Sequence, residues 1–268
     1  MTYKIISSDR IADSVVRMVI SAPEAARNAH AGQFVVVMAD EKGERIPLTM
    51  ADFDKDKGTL TIIFQEVGFS TKALGRMRPG DAIYSVLGPL GKPTHTEGSG
   101  NCICVGGGVG IAEMWPVARA LKDAGRHVTC IAGARTKGLL ILEEELKETC
   151  DELLIATDDG SYGSKGFVTD ILSEKIKAGS YSYIYAIGPV PMMKKVADIS
   201  RPHKIKTVVS LNPLMVDATG MCGVCRCKVE GKTVFGCVDG PEFDAHQVDF
   251  DELAGRLSFF TDKENQYG

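Results

Sequence analysis

The sequence predicts a multi-domain protein: an antiparallel β-barrel over residues 1–97, an α/β domain with a parallel sheet over 98–211, and a small cysteine-rich C-terminal domain over 212–268. Three observations carry this reading. β-branched runs bounded by turn residues fill the first third, and apolar strands alternate with amphipathic helices in the middle. Four of the eight cysteines then fall within the sixteen residues from Cys222 to Cys237. A chain of 268 residues buries enough apolar surface to fold without disulfides or metal. Any metal it holds is therefore expected to serve chemistry.

In the first segment the runs 15–20, 34–38 and 59–64 are rich in Val, Ile and Phe, which suit a pleated, half-buried surface. Asp56-Lys57-Gly58 and Arg78-Pro79-Gly80-Asp81 supply turns. Short strands at this spacing suggest closure into a barrel. One helix is expected over 70–77, opened by a hydroxyl residue able to cap it.

The texture changes at Gly98-Ser99-Gly100. Strands are expected at 101–105, 128–132, 153–157 and 183–187 and a helix over 112–124, an order that implies a parallel sheet with right-handed crossovers. Ligands of such sheets collect beyond the carboxyl ends of the strands. The first such loop, Gly106 to Ala112, opens a helix, so its backbone N–H groups and the helix dipole suit a pyrophosphate. Its candidates are Gly107, Gly108, Gly110, Ile111 and Ala112. The G-x-G-x-x-G fingerprint is not met, because Ile111 takes the third glycine position counted from Gly106. A glycine turn needed only for tight strand-to-helix packing is the alternative. Asp159 and Gly160 follow the third strand, and Gly188, Pro189 and Met192 follow the last. The second strand ends at Gly133 and Arg135 without an acidic residue to hold an NAD ribose. Arg135 could contact a 2′-phosphate, lie along an adenosine or sit in solvent, so these residues leave NAD and NADP open.

In the third segment Asp217, Cys222, Cys225 and Cys237 are separated by four, two and eleven residues. That is the plant-type ferredoxin spacing with a carboxylate in the first position. Three readings compete: a two-iron two-sulfur cluster on those four residues, a structural zinc on Cys222, Cys225, Cys227 and Cys237, or an Asp217 that merely closes a turn through Thr219-Gly220. The C-x2-C-x-C-x9-C spacing is awkward for zinc, which usually takes two C-x2-C knuckles. A short helix is expected over 251–257, and the scattered Cys102, Cys104, Cys130 and Cys150 are expected to be small apolar fillers. Cysteine clustering in a chain with no export signal favours metal over disulfides.

A net charge of -4 with a pI near 5.8 leaves no basic footprint, which sets nucleic acid aside as a partner. The N-terminal residues lack a signal-peptide apolar core and no apolar stretch is long enough to span a bilayer, so a cytoplasmic protein without membrane attachment is expected.

Over its first two segments the chain resembles the ferredoxin-NADP reductase superfamily. Arg45-Ile46-Pro47-Leu48-Thr49 resembles that family's R-x-Y-[ST] flavin motif, with Leu48 where an aromatic residue often stands. The resemblance implies that Arg45 binds the FAD pyrophosphate and that the Thr49 hydroxyl faces the isoalloxazine. Gly68-Phe69-Ser70-Thr71 resembles the second phosphate-binding turn. The implied FAD set is Arg45, Pro47, Leu48, Thr49, Ile62, Phe64, Gly68, Ser70 and Thr71. With Asp217, Met221-Cys222-Gly223-Val224-Cys225 and Cys237-Val238-Asp239-Gly240-Pro241 included, the chain is most similar to the small subunits of NADH-dependent reduced ferredoxin:NADP oxidoreductase, also described as the sulfide dehydrogenase beta subunit. The electron-transfer subunit of dihydroorotate dehydrogenase is the other similar family, and would be expected to carry Cys at 217. The first resemblance implies FAD, a 2Fe-2S cluster on Asp217, Cys222, Cys225 and Cys237, and NAD(H). It also implies electron bifurcation through a heterodimer with a larger flavin/iron-sulfur subunit, which alone reaches ferredoxin. Hydride transfer requires no side-chain acid or base, and no catalytic residue is nominated. A zinc-stabilised, non-redox nucleotide-binding subunit is the alternative from another class.

Overall fold

In a computed structural model that describes residues 2–260, alternation of side chains builds the first sheet. Its strands are β1 (Tyr3–Ala12), β2 (Val15–Ser21), β3 (Phe34–Met38), β4 (Ile46–Asp54), β5 (Thr59–Gln65), β6 (Ala82–Ile83) and β7 (Ser85–Leu90). They form a near-closed antiparallel barrel in the order β6-β1-β2-β5-β4-β3-β7, with helices α1 (Pro23–Asn28) and α2 (Phe69–Gly75) in its connections. Along β2, Val16, Met18 and Ile20 enter the barrel core with Leu60, Ile62 and Phe64 of β5. The opposite faces supply Val15, Ile63 and Ala51, which pack against the next domain. The period of two thus lets one barrel wall serve two cores.

The cap of α2 differs from expectation. The N-cap is Gly68, and the capping hydroxyl belongs to Thr71 inside the first turn, where its Oγ1 accepts N–H bonds from Val67 and Gly68 at 3.1 and 3.0 Å. Ser70 instead donates to Glu44.

The second sheet comprises β8 (Asn101–Gly107), β9 (His127–Ala134), β10 (Glu152–Thr157), β11 (Ser164–Lys165), β12 (Tyr183–Ile187) and β13 (Lys206–Ser210), all parallel. Helices α3 (Ile111–Asp123), α4 (Glu143–Thr149), α5 (Val168–Ala178) and α6 (Val190–Ser200) form its crossovers and cover it. α3 lies between this sheet and the barrel, because its apolar residues Met114, Val117, Ala118 and Leu121 share a core with Val15, Ala51 and Ile63. Cys102, Cys104 and Cys130 fill the same core, and half-buried Cys150 packs beside it.

The C-terminal segment holds the hairpin β14 (Arg226–Val229) and β15 (Lys232–Phe235), then β16 (Glu242–Asp244) and α7 (Phe250–Leu257). It joins both other parts. β16 adds antiparallel to β13 and extends the second sheet to β11-β10-β9-β8-β12-β13-β16. Ala218, Cys225 and Cys237 pack on Phe34 and Val36 of the barrel. Residues 261–268 of the expected third domain lie outside the described residues. Among those described, no helix is long and apolar enough to cross a membrane.

Candidate functional site

β4 explains the tolerance for Pro47. Residues 46–49 pair with β3 on one side, whereas β5 pairs with β4 only from Met50 onward, so the proline's missing N–H falls on an open edge. Strand alternation sorts its neighbours. Leu48 packs against the barrel core beside Val35, its register partner, so it is not placed to stack on a ligand outside. Thr49 pairs with Phe34 and shares its outward face, and its Oγ1 donates to Glu113 Oε2 at 2.7 Å. Arg45 precedes the strand and donates from Nη1 to Asp217 Oδ1 at 3.0 Å. The Ser70–Glu44 bond brings the start of α2 to the same loop. A Cβ on Gly68 would meet nothing within 4 Å, which leaves that turn open to a ligand. Ile62 and Phe64 are 0 % and 2 % exposed inside the barrel, so only their backbone could touch a cofactor.

At the second sheet, the loops after β8 and β12 meet. A Cβ on Gly107 would stand 2.6 Å from Met192 Sδ and 3.2 Å from Pro189 Cδ, and one on Gly188 would stand 2.8 Å from Met192 Cε. Gly107, Gly188, Pro189 and Met192 therefore form one rim. Close packing accounts for Gly106 and Gly107, but not for Gly108, which has φ +58° and open space around it. Ile111 and Ala112 are buried under the barrel and offer a ligand only backbone. Gly133 makes room for Val168 of α5, so it serves packing there. Arg135 is exposed, its carbonyl accepts from Asp159 N at 3.3 Å, and Gly160 (φ +77°) lies against Lys165. These residues of the β9 and β10 ends form a second, neighbouring group. A cleft of about 670 Å³ opens elsewhere, between α4 and β10, and collects none of the sheet-edge candidates.

Gly110 offers a direct test of the rim. A Cβ there would lie 2.8 Å from the Ile187 carbonyl oxygen, backbone that cannot step aside. Gly110→Ala is expected to cost about 1–3 kcal/mol of stability through overpacking and to weaken nicotinamide-nucleotide binding, read by thermal unfolding and by titration with NADH.

In the cysteine loop, Ala218, Gly220 and Gly223 take positive φ (+62°, +89°, +66°) and curl the backbone around the sulfurs. Asp217 Oδ2 accepts from Thr219 N at 3.1 Å and from the Thr219 hydroxyl, which, with Arg45, holds its carboxyl below the usual range. The same carboxylate thus closes a turn and faces the barrel arginine. Cys222 is exposed, and backbone N–H groups of Val224 and Asp217 hold its thiol below the ordinary value, favouring thiolate. Cys225 and Cys237 are buried with their sulfurs 3.2 Å apart. Among the described residues no three Cys, His, Asp or Glu side chains converge as a metal group, and the loop brings together two of its four candidates. Cys227 belongs to a different core, with Phe250 and Leu253 of α7, and burial pushes its thiol up to about 12. That separation removes the fourth sulfur from a four-thiolate zinc site.

Comparison with known proteins bears on the same segments. A family model described as the iron-sulfur cluster binding domain of dihydroorotate dehydrogenase B matches residues 212–249, and an oxidoreductase NAD-binding domain matches 104–198. A dihydroorotate dehydrogenase B (NAD(+)) electron transfer subunit homolog of Thermotoga maritima is 46% identical over 261 residues, covering 97% of this chain and 92% of the relative. The dihydroorotate dehydrogenase B (NAD(+)) electron transfer subunit of Geobacillus thermodenitrificans is 33% identical, over 91% of this chain and 96% of its own. A chain of the NADH-dependent reduced ferredoxin-NADP oxidoreductase structure, solved for insight into flavin-based electron bifurcation, superposes with a TM-score of 0.94 at 44% identity, covering 100% of this chain and 96% of that one. The chain belongs to the dihydroorotate dehydrogenase B electron-transfer subunit family. Within that family it is a close homologue of the small subunit of NADH-dependent reduced ferredoxin-NADP oxidoreductase. Phthalate dioxygenase reductase, at 17% identity and a TM-score of 0.63, shares the fold.

Two carboxyl groups of this family member escaped the sequence reading. Glu113 lies in the first turn of α3, between the barrel and the second sheet. It accepts from Thr49 Oγ1, from Tyr185 Oη at 3.2 Å and from Ser210 Oγ. Desolvation raises its pKa despite those three donors. The one available signal was an acid beside Ile111, Ala112 and Met114, within an otherwise apolar stretch of helix. Glu242 on β16 accepts from Thr94, and burial pushes its pKa up to about 7.

A carboxyl whose folded pKa is raised binds more protons in the native state. Its stabilising contribution is therefore full below the unfolded value of 4.5 and is lost as pH rises toward about 7. Glu242→Gln is expected to match wild type near pH 4.5 and to exceed it at pH 8, by at most about 3 kcal/mol, in denaturant unfolding at the two pH values.

Proposed function

We propose that this chain is an FAD- and 2Fe-2S-containing electron-transfer subunit that exchanges hydride with NAD(H) and passes single electrons to a larger flavin/iron-sulfur partner. The observation that carries the reading is the placement of the cysteine loop. Cys225 and Cys237 pack on Phe34 and Val36 of β3, whose register partners are Thr49 and Pro47 of β4. Adjacent strands lie about 4.8 Å apart, so a cluster on one strand and a flavin on the next share a face of the barrel.

The donor set suits these groups. Arg45, with the open turn Gly68-Phe69-Ser70-Thr71, would hold the FAD pyrophosphate, and Thr49 would face the ring. Gly107, Gly108, Gly110, Gly188, Pro189 and Met192 would border the nicotinamide nucleotide, with Gly133, Arg135, Asp159 and Gly160 beyond them. Cys225 and Cys237 would bind one iron, and Asp217 and Cys222 the other. Bound flavin supplies the conversion between hydride and single electrons. The three expected segments, 1–97, 98–211 and 212–268, then correspond to FAD, NAD(H) and cluster.

Relatives named electron transfer subunits support a partner subunit; in this reading it is a larger flavin/iron-sulfur protein that reaches ferredoxin, in a cytoplasmic heterodimer. Anaerobic purification tests the reading. Flavin absorbance, equal iron and sulfide, and bleaching by NADH in preference to NADPH are expected. Zinc without flavin would overturn it, and co-purification with a dihydroorotate-binding subunit would select the other branch of the family.

A further inference from the structure

Glu113 has no part in the reading above, yet it holds the residue expected to face the flavin. Its Oε2 takes the Thr49 hydroxyl at 2.7 Å, and its Oε1 takes Tyr185 and Ser210. We propose that Thr49 and Glu113 carry a proton between the flavin N5 position and the protein interior, and that Glu242 links Glu113 to the surface cleft beside His95 and Lys206. The proposal rests on the FAD reading.

The chemistry requires such a route. NADH delivers a hydride, one proton with two electrons, to the flavin N5. The electrons leave singly to ferric iron of the cluster, so the N5–H bond must break and its proton must go to a base. The net change is NADH to NAD⁺, two electrons and one proton. Thr49 can accept the N5 proton while its own passes to the Glu113 carboxylate along the hydrogen bond already made. The reverse electron flow runs the same relay backward.

The continuation is built from β13 and β16. Ser210 and Glu242 are register partners, so their side chains stand on one face of the sheet, and Ser210 already donates to Glu113. The Glu113 charge adds to the burial that raises Glu242. Glu242 also lines a cleft of about 170 Å³ with His95, Tyr183, Lys206 and Asp244, and the buried Tyr183 hydroxyl beside it has no protein partner among the described residues. The titratable groups facing the pair are thus Tyr185 from β12 at Glu113, and Tyr183, His95, Lys206 and Asp244 around Glu242. Desolvation raises both carboxyls above the ordinary carboxylate value, Glu242 to about 7, where a base exchanges protons near neutral pH.

The test uses the full chain with FAD and cluster bound, NADH as donor and ferricenium as a one-electron acceptor. In Glu113→Gln, anaerobic flavin bleaching by NADH is expected to slow much less than electron delivery beyond the flavin. NADH-driven ferricenium reduction is expected to slow about 100-fold or more. Wild type should lose that second rate as acid protonates Glu113, and the variant should not. Glu242→Gln should delay the appearance of the proton, followed with an indicator dye in weak buffer, while bleaching by NADH persists.

Infrared difference spectra between oxidised and NADH-reduced wild type supply a readout apart from turnover. A carboxylic C=O band that shifts in D₂O is expected, and it should vanish in Glu113→Gln. An unchanged pH profile in an FAD-containing Glu113→Gln, or no carboxyl band in wild type, overturns the relay. If Glu113→Gln does not fold, Glu113→Asp replaces it and must keep a pH-dependent second rate with a moved midpoint; an unmoved one overturns the relay. Wild type that purifies without flavin overturns the underlying reading before any variant is made.

Discussion

Cys225→Ser is expected to lose nearly all iron and sulfide while keeping its flavin and its bleaching by NADH. Cys225 is 2 % exposed, its sulfur lies 3.2 Å from that of Cys237, and both rest on Phe34 and Val36. A serine oxygen there is a harder and weaker donor for iron than thiolate. Electron delivery to a one-electron acceptor through the cluster should fall to background, because the step after hydride transfer has lost its carrier. Cys227→Ser is the internal contrast. Cys227 points into the core with Phe250 and Leu253, so its serine variant should keep iron and sulfide. Its cost is expected in stability, about 1–3 kcal/mol, from a hydroxyl buried where the structure offers a sulfur-sized apolar site. Iron and sulfide assays on the two proteins decide the matter: equal metal loss in both would return the four-thiolate zinc reading.

The second large effect is expected at Arg45. Its guanidinium is half exposed and reaches Asp217 Oδ1 at 3.0 Å, so it is free to swing between that carboxylate and a pyrophosphate on the same side of β4. A charge-assisted hydrogen bond to phosphate contributes about 1.5–3 kcal/mol, so Arg45→Ala should weaken FAD about 10- to 100-fold. Arg45→Lys should fall between, since lysine keeps the charge but loses the planar fork. Titration of flavin-free protein with FAD, followed by flavin fluorescence, measures both. Unaltered affinity in Arg45→Ala would place the pyrophosphate elsewhere.

What could be read in advance follows from how local each signal is. The strands at 34–38 and 183–187 coincide with β3 and β12, because β-branched or aromatic runs bounded by turns encode burial on both faces. β1 was not among the expected strands: Ser7, Ser8, Asp9 and Arg10 form no apolar run, and pairing with β2 satisfies their backbone. β4 was not among the expected strands: Pro47 suits only an edge, and residues 46–49 have that open edge because β5 pairs with β4 only from Met50 onward. In the site, the strand-end loops were legible because parallel sheets place ligands there. Glu113 was not: its donors Thr49, Tyr185 and Ser210 lie 64, 72 and 97 residues away along the chain, and Thr94 lies 148 from Glu242. Spacing arguments see no such pairs. Leu48 shows the converse, a motif position whose side chain the strand's alternation turns toward the barrel core.

β16 changes how the third segment should be regarded. A cluster carrier tethered by a linker could be exchanged between proteins like a cartridge. Here the segment is a clasp: its cysteines lie on the barrel, its strand zips onto β13, and Cys227 with α7 closes the far core. A chain cut after Leu211 would lose an edge strand of the second sheet, the cover over Phe34 and Val36, and Glu242 along with its cysteines. The electron carrier and the two-domain frame that feeds it are, in this fold, a single inheritance.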